Sequence, residues 1–285
     1  MLVLELQMSF KLLPSEWQVW LRDNVDKGCS DNSILTLMLK NGFKLPVATT
    51  ALEEVRSGDV SLLERVVQAR PCVAIEHNRI ACEGGHEVRV LTHMKEPYVV
   101  YFEHVLTDEE CDEMVSLSDS KLEESTVIDM ALGTAVPHAH RTSTGCSFKR
   151  GELPLIERIE QRLATLVNWP VDHGEGLQIL RYENGGEYRA HYDFFDPAHA
   201  GSQKHIAQAG QRVGTVIMYL SDVEEGGGTT MPTIGFEVRP RKGSALFFCN
   251  VDGYGEVDSM TLHAGVPVVK GVKYIATKWL RENVF

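Results

Sequence analysis

Two histidines and one aspartate have the residue types and part of the spacing that a metal site requires. His191 and Asp193 are two positions apart, and His263 lies much further along the chain. On an extended segment, side chains two positions apart point to the same face, so His191 and Asp193 could bind one ion together. Two imidazoles and one carboxylate suit a non-haem Fe(II) that keeps other coordination positions open. The alternative is a surface His-x-Asp that binds no metal.

A ligand from a distant part of the chain needs a fold that brings remote strands together. The C-terminal part contains β-type segments between Gly-rich turns: GLQILRY, EYRAHYDF, RVGTVIMYL, IGFEVRP, SALFF and KYIATKWL. Before them, Thr107 and Glu110 form a capping-box pattern that begins a helix, and a second helix is predicted from Leu153 to Trp169. Two helices followed by many strands predict an α+β fold, a double-stranded β-helix (jelly roll) backed by helices.

The N-terminal third of the chain has a different pattern. Residues 14–70 predict short helices, and residues 72–94 alternate like two strands around a Glu-Gly-Gly turn. We therefore divide the chain into a helical N-terminal extension with a short hairpin, residues 1–95, and a core domain, residues 96–285. The helices are interpreted as packing on one another and on the core domain. The alternative is a docking module for a protein substrate or a second subunit.

Composition and charge limit the class of protein. The 285 residues are 43% hydrophobic and 24% charged, as in ordinary soluble globular proteins. The formal net charge of −12 argues against nucleic acid or an anionic membrane as a partner. The sequence has no convincing secretory signal and no apolar segment long enough to span a bilayer. Its six cysteines form no C-x-x-C pair, so we expect free thiols and a cytoplasmic location.

The order of the C-terminal motifs resembles the prolyl 4-hydroxylase family of Fe(II)- and 2-oxoglutarate-dependent dioxygenases. The resemblance extends from about Tyr98 to Phe285 and makes residues 96–285 the dioxygenase domain. The motifs that carry it are LQILRYENGGEYRAHYDFF (177–195), QRVGTVIMYLSDVEEGGGTTMP (211–232), VRPRKGSALFF (238–248) and TLHAGVPVVKGVKYIATKWLRE (261–282).

The resemblance implies which residues bind the co-substrate and the metal. Lys273 is expected to bind the far carboxylate of 2-oxoglutarate, and Tyr182 and Thr229 are expected to be further contacts. The alternatives are a solvated surface lysine and a core tyrosine. Where the family often has glutamate this chain has Gly228, which leaves the detail of that turn open. The expected Fe(II) ligands, which form the catalytic centre, are His191, Asp193 and His263.

The same resemblance implies contacts with the substrate. Arg141 matches an arginine of the peptide-binding face, and Tyr188 and Trp279 match positions near the target ring. Arg141 could instead be a surface charge, and Trp279 a core aromatic residue. The polar segment 196–212 is predicted to be a loop that flanks the mouth of the site.

The function implied by the resemblance is hydroxylation of a prolyl residue in a peptide or protein. The enzyme would use Fe(II), O₂ and 2-oxoglutarate as co-substrate, with ascorbate as a candidate reductant, and would release succinate. One alternative is the same chemistry on a free amino acid or small metabolite. Another is a non-catalytic binding or oxygen-sensing module. The expected partner is a proline-containing peptide or protein, with no nucleic acid and no membrane, and a homodimer is left open.

Overall fold

The β-type segments of the C-terminal part fold into antiparallel sheets in the computed structural model of the chain. The structure describes residue 10 and residues 13–57, 70–75, 78–128, 135–137, 142–253 and 255–285. The strands are β1 (Arg79–Ala81), β2 (Glu87–Met94), β3 (Val99–Glu103), β4 (Glu123–Glu124), β5 (Thr126–Ile128), β6 (Ala135–Pro137), β7 (Thr144–Phe148), β8 (Leu177–Tyr182), β9 (Tyr188–His191), β10 (Arg212–Tyr219), β11 (Glu225–Gly226), β12 (Thr229–Met231), β13 (Phe236–Val238), β14 (Ala245–Cys249), β15 (His263–Gly265), β16 (Val268–Lys270) and β17 (Lys273–Arg281).

A large sheet and a smaller sheet contain most of the described strands. The large sheet has the order β1-β2-β3-β14-β10-β17-β8-β7-β4, and the smaller one has the order β13-β12-β15-β9. Two further pairs are β11 with β16 and β5 with β6. The sequence-based prediction of an α+β jelly roll is confirmed by this arrangement.

Helices cover one face of the large sheet. In β14, Phe247 belongs to the same buried cluster as Ile156 and Met114, which lie on two helices, whereas Phe248 packs in a second cluster with Tyr219. Neighbouring residues of a strand point to opposite faces, so one face of the sheet packs on helices and the other points into the jelly roll. The two helices in this packing are α4 (Asp108–Asp119) and α5 (Pro154–Val167); the other described α-helices are α1 (Ser15–Asp26), α2 (Asp31–Lys40), α3 (Leu45–Ser57) and α6 (Ala200–Ala209).

The two helices that back the sheet begin and end close to the predicted positions. At the start of α4, the backbone N–H of Glu110 donates to Thr107 Oγ1 at 3.2 Å. The backbone N–H of Thr107 donates in turn to the Glu110 carboxylate at 3.1 Å. This reciprocal pair satisfies two backbone donors that a helix start otherwise leaves free, so the predicted capping box is confirmed.

The prediction of a loop over residues 196–212 is wrong, because α6 occupies most of this segment. This helix has no side-chain cap at its N-terminus and is largely polar, so its sequence gives little helical signal. The guanidinium of Arg281 donates to the backbone carbonyl oxygens of His205 and Gly210 at 2.5 and 2.7 Å. A distant arginine therefore satisfies carbonyl groups near the helix end, which no local pattern predicts.

The chain forms two compact units, one of Met1–Ala69 with Gly253–Glu256 and one of Arg70–Asp252 with Val257–Phe285. In the first unit, α1, α2 and α3 bury a shared apolar cluster that includes Leu21, Ile34 and Leu52. The predicted packing of these helices on one another is confirmed for the described residues. A further helix predicted within 58–69 lies outside them.

The predicted hairpin corresponds to β1 and β2, which pair with each other and through β3 with the large sheet. The division of the chain into an extension (residues 1–95) and a dioxygenase domain (residues 96–285) stays a prediction. Among the helices that the structure describes, none has both the length and the apolar character needed to cross a bilayer.

Candidate metal centre

Strand register brings the two distant histidines together. In the smaller sheet, His263 of β15 is the cross-strand partner of His191 of β9, and Asp193 follows two residues after β9. His191 Nε2 lies 3.6 Å from one carboxylate oxygen of Asp193, and His263 Nε2 lies 3.5 Å from the other. The ligand atoms of the three residues all lie within 4.8 Å of one another. The three side chains can therefore bind a single ion.

Backbone carbonyl groups fix the orientation of both imidazoles. Nδ1 of His191 lies 2.8 Å from the carbonyl oxygen of Arg189, and Nδ1 of His263 lies 3.0 Å from that of Thr261. A carbonyl oxygen only accepts, so each Nδ1 carries a proton, and in the neutral ring Nε2 then has the free lone pair. Both lone pairs are on the ring edge nearest to Asp193, and this donor set fits a non-haem Fe(II).

The protonation states also suit metal binding. The pKa of His263 is lowered to about 4, chiefly by burial and then by the neighbouring His191, against a smaller opposing effect of the Asp193 carboxylate. His263 is therefore neutral at pH 7. Burial alone would raise the pKa of the Asp193 carboxyl, but His263 and His191 outweigh burial and hold it below its usual range. Metal ligands must be deprotonated, and His263 and Asp193 are deprotonated at pH 7 before any ion binds.

A buried lysine that has no carboxylate partner among the described residues lies on the facing sheet. Lys273, at the start of β17, is the cross-strand partner of Tyr182 on β8 and is 3% exposed. Its ammonium lies 5.6 Å from the ring centre of Tyr182 and 5.8 Å from that of Tyr219. Burial lowers the pKa of Lys273 to about 8. Among the residues that the structure describes, no carboxylate lies within ion-pair distance of it.

Thr229, the other predicted co-substrate contact, is held by a residue that the sequence analysis missed. The hydroxyl of Tyr219 donates to Thr229 Oγ1 at 2.8 Å, and both side chains are buried. Tyr219 ends an apolar strand, so its sequence context indicates a core residue. Its hydroxyl group becomes informative only once the pairing of the two sheets is known.

One cavity connects the histidine cluster to the lysine. It is lined by all three of His191, Asp193 and His263, by Lys273, Tyr182 and Thr229, and by apolar side chains that include Leu180 and Ile217. Asp193 and Lys273 are the acidic and basic residues among the described lining. A group bound to the ion could therefore extend along an apolar wall and end at the ammonium of Lys273.

Two of the three predicted substrate residues line the same cavity. Tyr188 stacks on His191 with ring centres 3.6 Å apart. Trp279 lies on β17, and its buried indole N–H has no hydrogen-bond partner in the part of the chain that the structure describes. An unpaired buried donor at a cavity wall can bind an acceptor of a ligand. Arg141 lies outside the described residues.

An arginine absent from the predicted site supports Trp279. The guanidinium of Arg212 lies 3.9 Å from the Trp279 ring and donates twice to the carboxylate of Glu175, at 2.7 and 2.8 Å. Arg281 donates to the same carboxylate at 3.1 Å. These charges lie far apart in the sequence and no short motif contains them, so sequence reasoning had no signal for this network.

The chain is similar to known oxygenases. The profile of the 2OG-Fe(II) oxygenase superfamily matches residues 177–281. Prolyl 4-hydroxylase 5 of Arabidopsis thaliana is 36% identical over 71% of this chain and 75% of its own length. Probable prolyl 4-hydroxylase 7 of the same plant is 37% identical over 85% of this chain and 79% of its own. The viral collagen prolyl hydroxylase of Paramecium Bursaria Chlorella virus-1, solved as a 2OG complex, is 29% identical with a TM-score of 0.51, covering 65% of this chain and 96% of the viral one.

Proposed function

Because this chain belongs to the prolyl 4-hydroxylase family of 2-oxoglutarate- and Fe(II)-dependent dioxygenases, we propose that it hydroxylates prolyl residues within a peptide or protein chain. As a member of this family it uses Fe(II), 2-oxoglutarate and O₂. The observation that carries the assignment of the site is the shared cavity. One end holds two histidines and an aspartate, and the other holds a buried lysine with no carboxylate partner among the described residues.

We propose His191, Asp193 and His263 as the ligands of the iron. Their support is the short spacing of the three donor atoms and the protonated Nδ1 of each histidine. When bound, iron and 2-oxoglutarate supply an oxidation that releases succinate and CO₂ and transfers one oxygen atom to a C–H bond. The protein's contribution is to hold the co-substrate and the target ring and to keep water out of the cavity.

Lys273 is the proposed partner of the far carboxylate of 2-oxoglutarate. A buried ammonium without a counter-charge is costly, and an incoming carboxylate would relieve that cost. Tyr182 and Thr229 line the cavity beside it and are proposed as hydrogen-bonding neighbours. The hydrogen bond from Tyr219 orients Thr229, so Tyr219 joins the predicted set as a supporting residue.

The affinity for 2-oxoglutarate is expected to fall as pH rises above about 8. Lys273 of the free protein has a pKa of about 8, and only the protonated amine can pair with the carboxylate. Above that pH, binding must take up one proton, which weakens the affinity by about tenfold per pH unit. Below about pH 7 the affinity should be flat, since the lysine is already charged there.

Calorimetric titration of the Mn(II)-loaded protein with 2-oxoglutarate from about pH 6.5 to about pH 9.5 would measure this dependence on both sides of the lysine pKa. The matched control is Lys273→Arg, whose guanidinium stays protonated over the whole range. A constant affinity in the unsubstituted protein would contradict the role of Lys273.

The proposed substrate is a peptide rather than free proline. A free amino acid needs a counter-charge for its amine and another for its carboxylate. In the described cavity lining the charged residues are Asp193 and Lys273, and both are already assigned to the iron and to 2-oxoglutarate. The prolyl ring of a peptide carries no such charges and matches the aromatic side chains of Tyr188 and Trp279.

Proline-containing peptides are expected to stimulate succinate formation at least about tenfold more than free L-proline, since 1.4 kcal/mol of extra contact gives that factor. Trp279→Ala and Arg141→Ala should each raise the peptide concentration needed for half-maximal rate and leave the 2-oxoglutarate requirement nearly unchanged. Coupled succinate assays with peptide and free amino acid would measure both. Strong turnover of free proline with no response to peptides would promote the small-molecule alternative.

A cytoplasmic location is a further proposal. All six cysteines are free thiols, which fits a reducing compartment. Cell fractionation with an antibody to the chain would test it, and recovery in a membrane or secreted fraction would contradict it. A homodimer and a docking role of the N-terminal helices stay open alternatives.

A further inference from the structure

The carboxylate of Asp193 is held from behind by two buried polar side chains. The hydroxyl of Thr215 lies 2.9 Å from Asp193 Oδ2, and the side-chain amide of Asn250 lies 3.0 Å from the Thr215 hydroxyl. Thr215 and Asn250 are fully buried, and Asp193 is 7% exposed. Thr215 lies on β10 and Asn250 follows β14 directly, so neither belongs to the strand that carries His191.

The direction of both hydrogen bonds follows from the chemistry of the groups. An ionised carboxylate only accepts, so the single hydroxyl proton of Thr215 is donated to Asp193. The oxygen of that hydroxyl must then accept from Asn250, which places the amide nitrogen of Asn250, rather than its oxygen, towards Thr215. This hydrogen bond occupies one lone pair of Oδ2 and leaves Oδ1 available for an ion.

Asn250 is also tied to the segment that carries the other histidine. The backbone carbonyl oxygen of Asn250 accepts from the backbone N–H of Asp258 at 2.9 Å. Asp258 caps the short turn Ser259–Thr261, and the carbonyl oxygen of Thr261 accepts from Nδ1 of His263. One asparagine therefore connects the support of Asp193 to the turn that orients His263.

The side-chain contacts of Thr215 and Asn250 are not needed to pair β10 with β14. The neighbouring residues Gly214 and Cys249 already pair β10 with β14 through the backbone, so the pairing does not depend on the side chains of Thr215 and Asn250. The hydroxyl of Thr215 is instead directed at Asp193, inside the jelly roll. Valine would fill the same space without the hydrogen bond.

We propose that Thr215 and Asn250 are positioning residues that set the Asp193 carboxylate for metal binding, an inference that rests on the proposed metal centre. Groups that orient metal ligands in this way commonly contribute about 10- to 100-fold to metal affinity. Thr215 acts directly on the carboxylate, and Asn250 acts through Thr215. The larger effect is therefore expected at Thr215.

The test is a titration of the full chain with Co(II), followed by the visible absorption of the bound ion. Thr215→Val should weaken Co(II) binding about 10- to 100-fold and alter the absorption spectrum, because the carboxylate is free to rotate. Thr215→Ser restores the hydroxyl and should return both to the level of the unsubstituted protein. Ser118→Ala is the matched control, because it removes a buried hydroxyl that donates to the Val115 carbonyl in α4. It should change neither the affinity nor the spectrum.

The outcomes separate this inference from the metal centre itself. If the unsubstituted protein binds Co(II), His263→Ala does not, and Thr215→Val binds as tightly as the unsubstituted protein, the positioning role is wrong and the metal centre stands. If the unsubstituted protein does not bind Co(II), both are wrong. Should Thr215→Val lose cooperative thermal unfolding, Asn250→Ala decides: weaker Co(II) binding supports the role, and unchanged binding overturns it.

Discussion

Replacing Asp193 with alanine is expected to abolish turnover and to weaken metal binding by more than the 10- to 100-fold that substitution of a supporting residue costs. Asp193 supplies the negative charge of the site, and both histidine Nε2 atoms lie within 3.6 Å of its carboxylate. His191→Ala and His263→Ala should have the same effect, because each removes one of the three donors. Calorimetric titration with Mn(II) and succinate assays would measure the two losses.

The control for these variants is a second histidine–aspartate pair outside the cavity. His199 lies 3.5 Å from Asp196, and both side chains are exposed. His199→Ala should leave metal binding and turnover unchanged, since a solvated pair gains little from holding an ion. Unchanged metal affinity and turnover in His263→Ala would contradict the assignment of the three residues as metal ligands.

Replacing Lys273 with methionine is expected to weaken 2-oxoglutarate binding by about 10²- to 10³-fold or more, because breaking a buried ion pair costs about 3–5 kcal/mol. Metal affinity should hardly change. The same substitution should stabilise the ligand-free protein by up to about 3 kcal/mol, the free energy that corresponds to lowering the lysine pKa from 10.5 to about 8. The folded state binds its proton less tightly than the unfolded state, so this cost is fully present below about pH 8.

Lys278 on the same strand provides a matched control, because its replacement should change the stability of the protein in the opposite direction. Its ammonium is buried and paired with the buried carboxylate of Glu160. Lys278→Met would leave that carboxylate without its partner and should destabilise the protein by about 3–5 kcal/mol. Denaturant unfolding of both variants and 2-oxoglutarate titration of Lys273→Met would measure these effects. Unchanged 2-oxoglutarate affinity in Lys273→Met would point to Arg181, although that side chain is already paired with Glu183 at 2.7 Å.

Features that depend on local sequence patterns could be predicted from the sequence alone. The capping box at Thr107, the apolar strand segment SALFF and the two-residue spacing of His191 and Asp193 each follow from the geometry of one element. The order of motifs predicted the jelly roll and the placement of Lys273 on a strand. These features depend on neighbours in the sequence and on resemblance, and the structure has them where they were expected.

Contacts between distant strands could not be predicted from the sequence. Thr215 and Tyr219 lie in an apolar strand, and their hydroxyl groups have partners only because β10 and the smaller sheet face the same interior. The bond from Arg212 to Glu175 and the docking of α6 by Arg281 join residues that no short motif relates. Single-sequence patterns carry no information on strand register, so the groups that support the site could not be identified in advance.

The most direct test of prolyl hydroxylation is mass spectrometry of a proline-rich peptide treated with the full chain, Fe(II), 2-oxoglutarate and ¹⁸O₂, with succinate measured in the same sample. The expected result is one ¹⁸O atom on a prolyl residue for each succinate formed above the peptide-free background, and neither product with Asp193→Ala. Succinate formation without oxygen on any peptide proline, or equal peptide oxidation with Asp193→Ala, would contradict the proposed function.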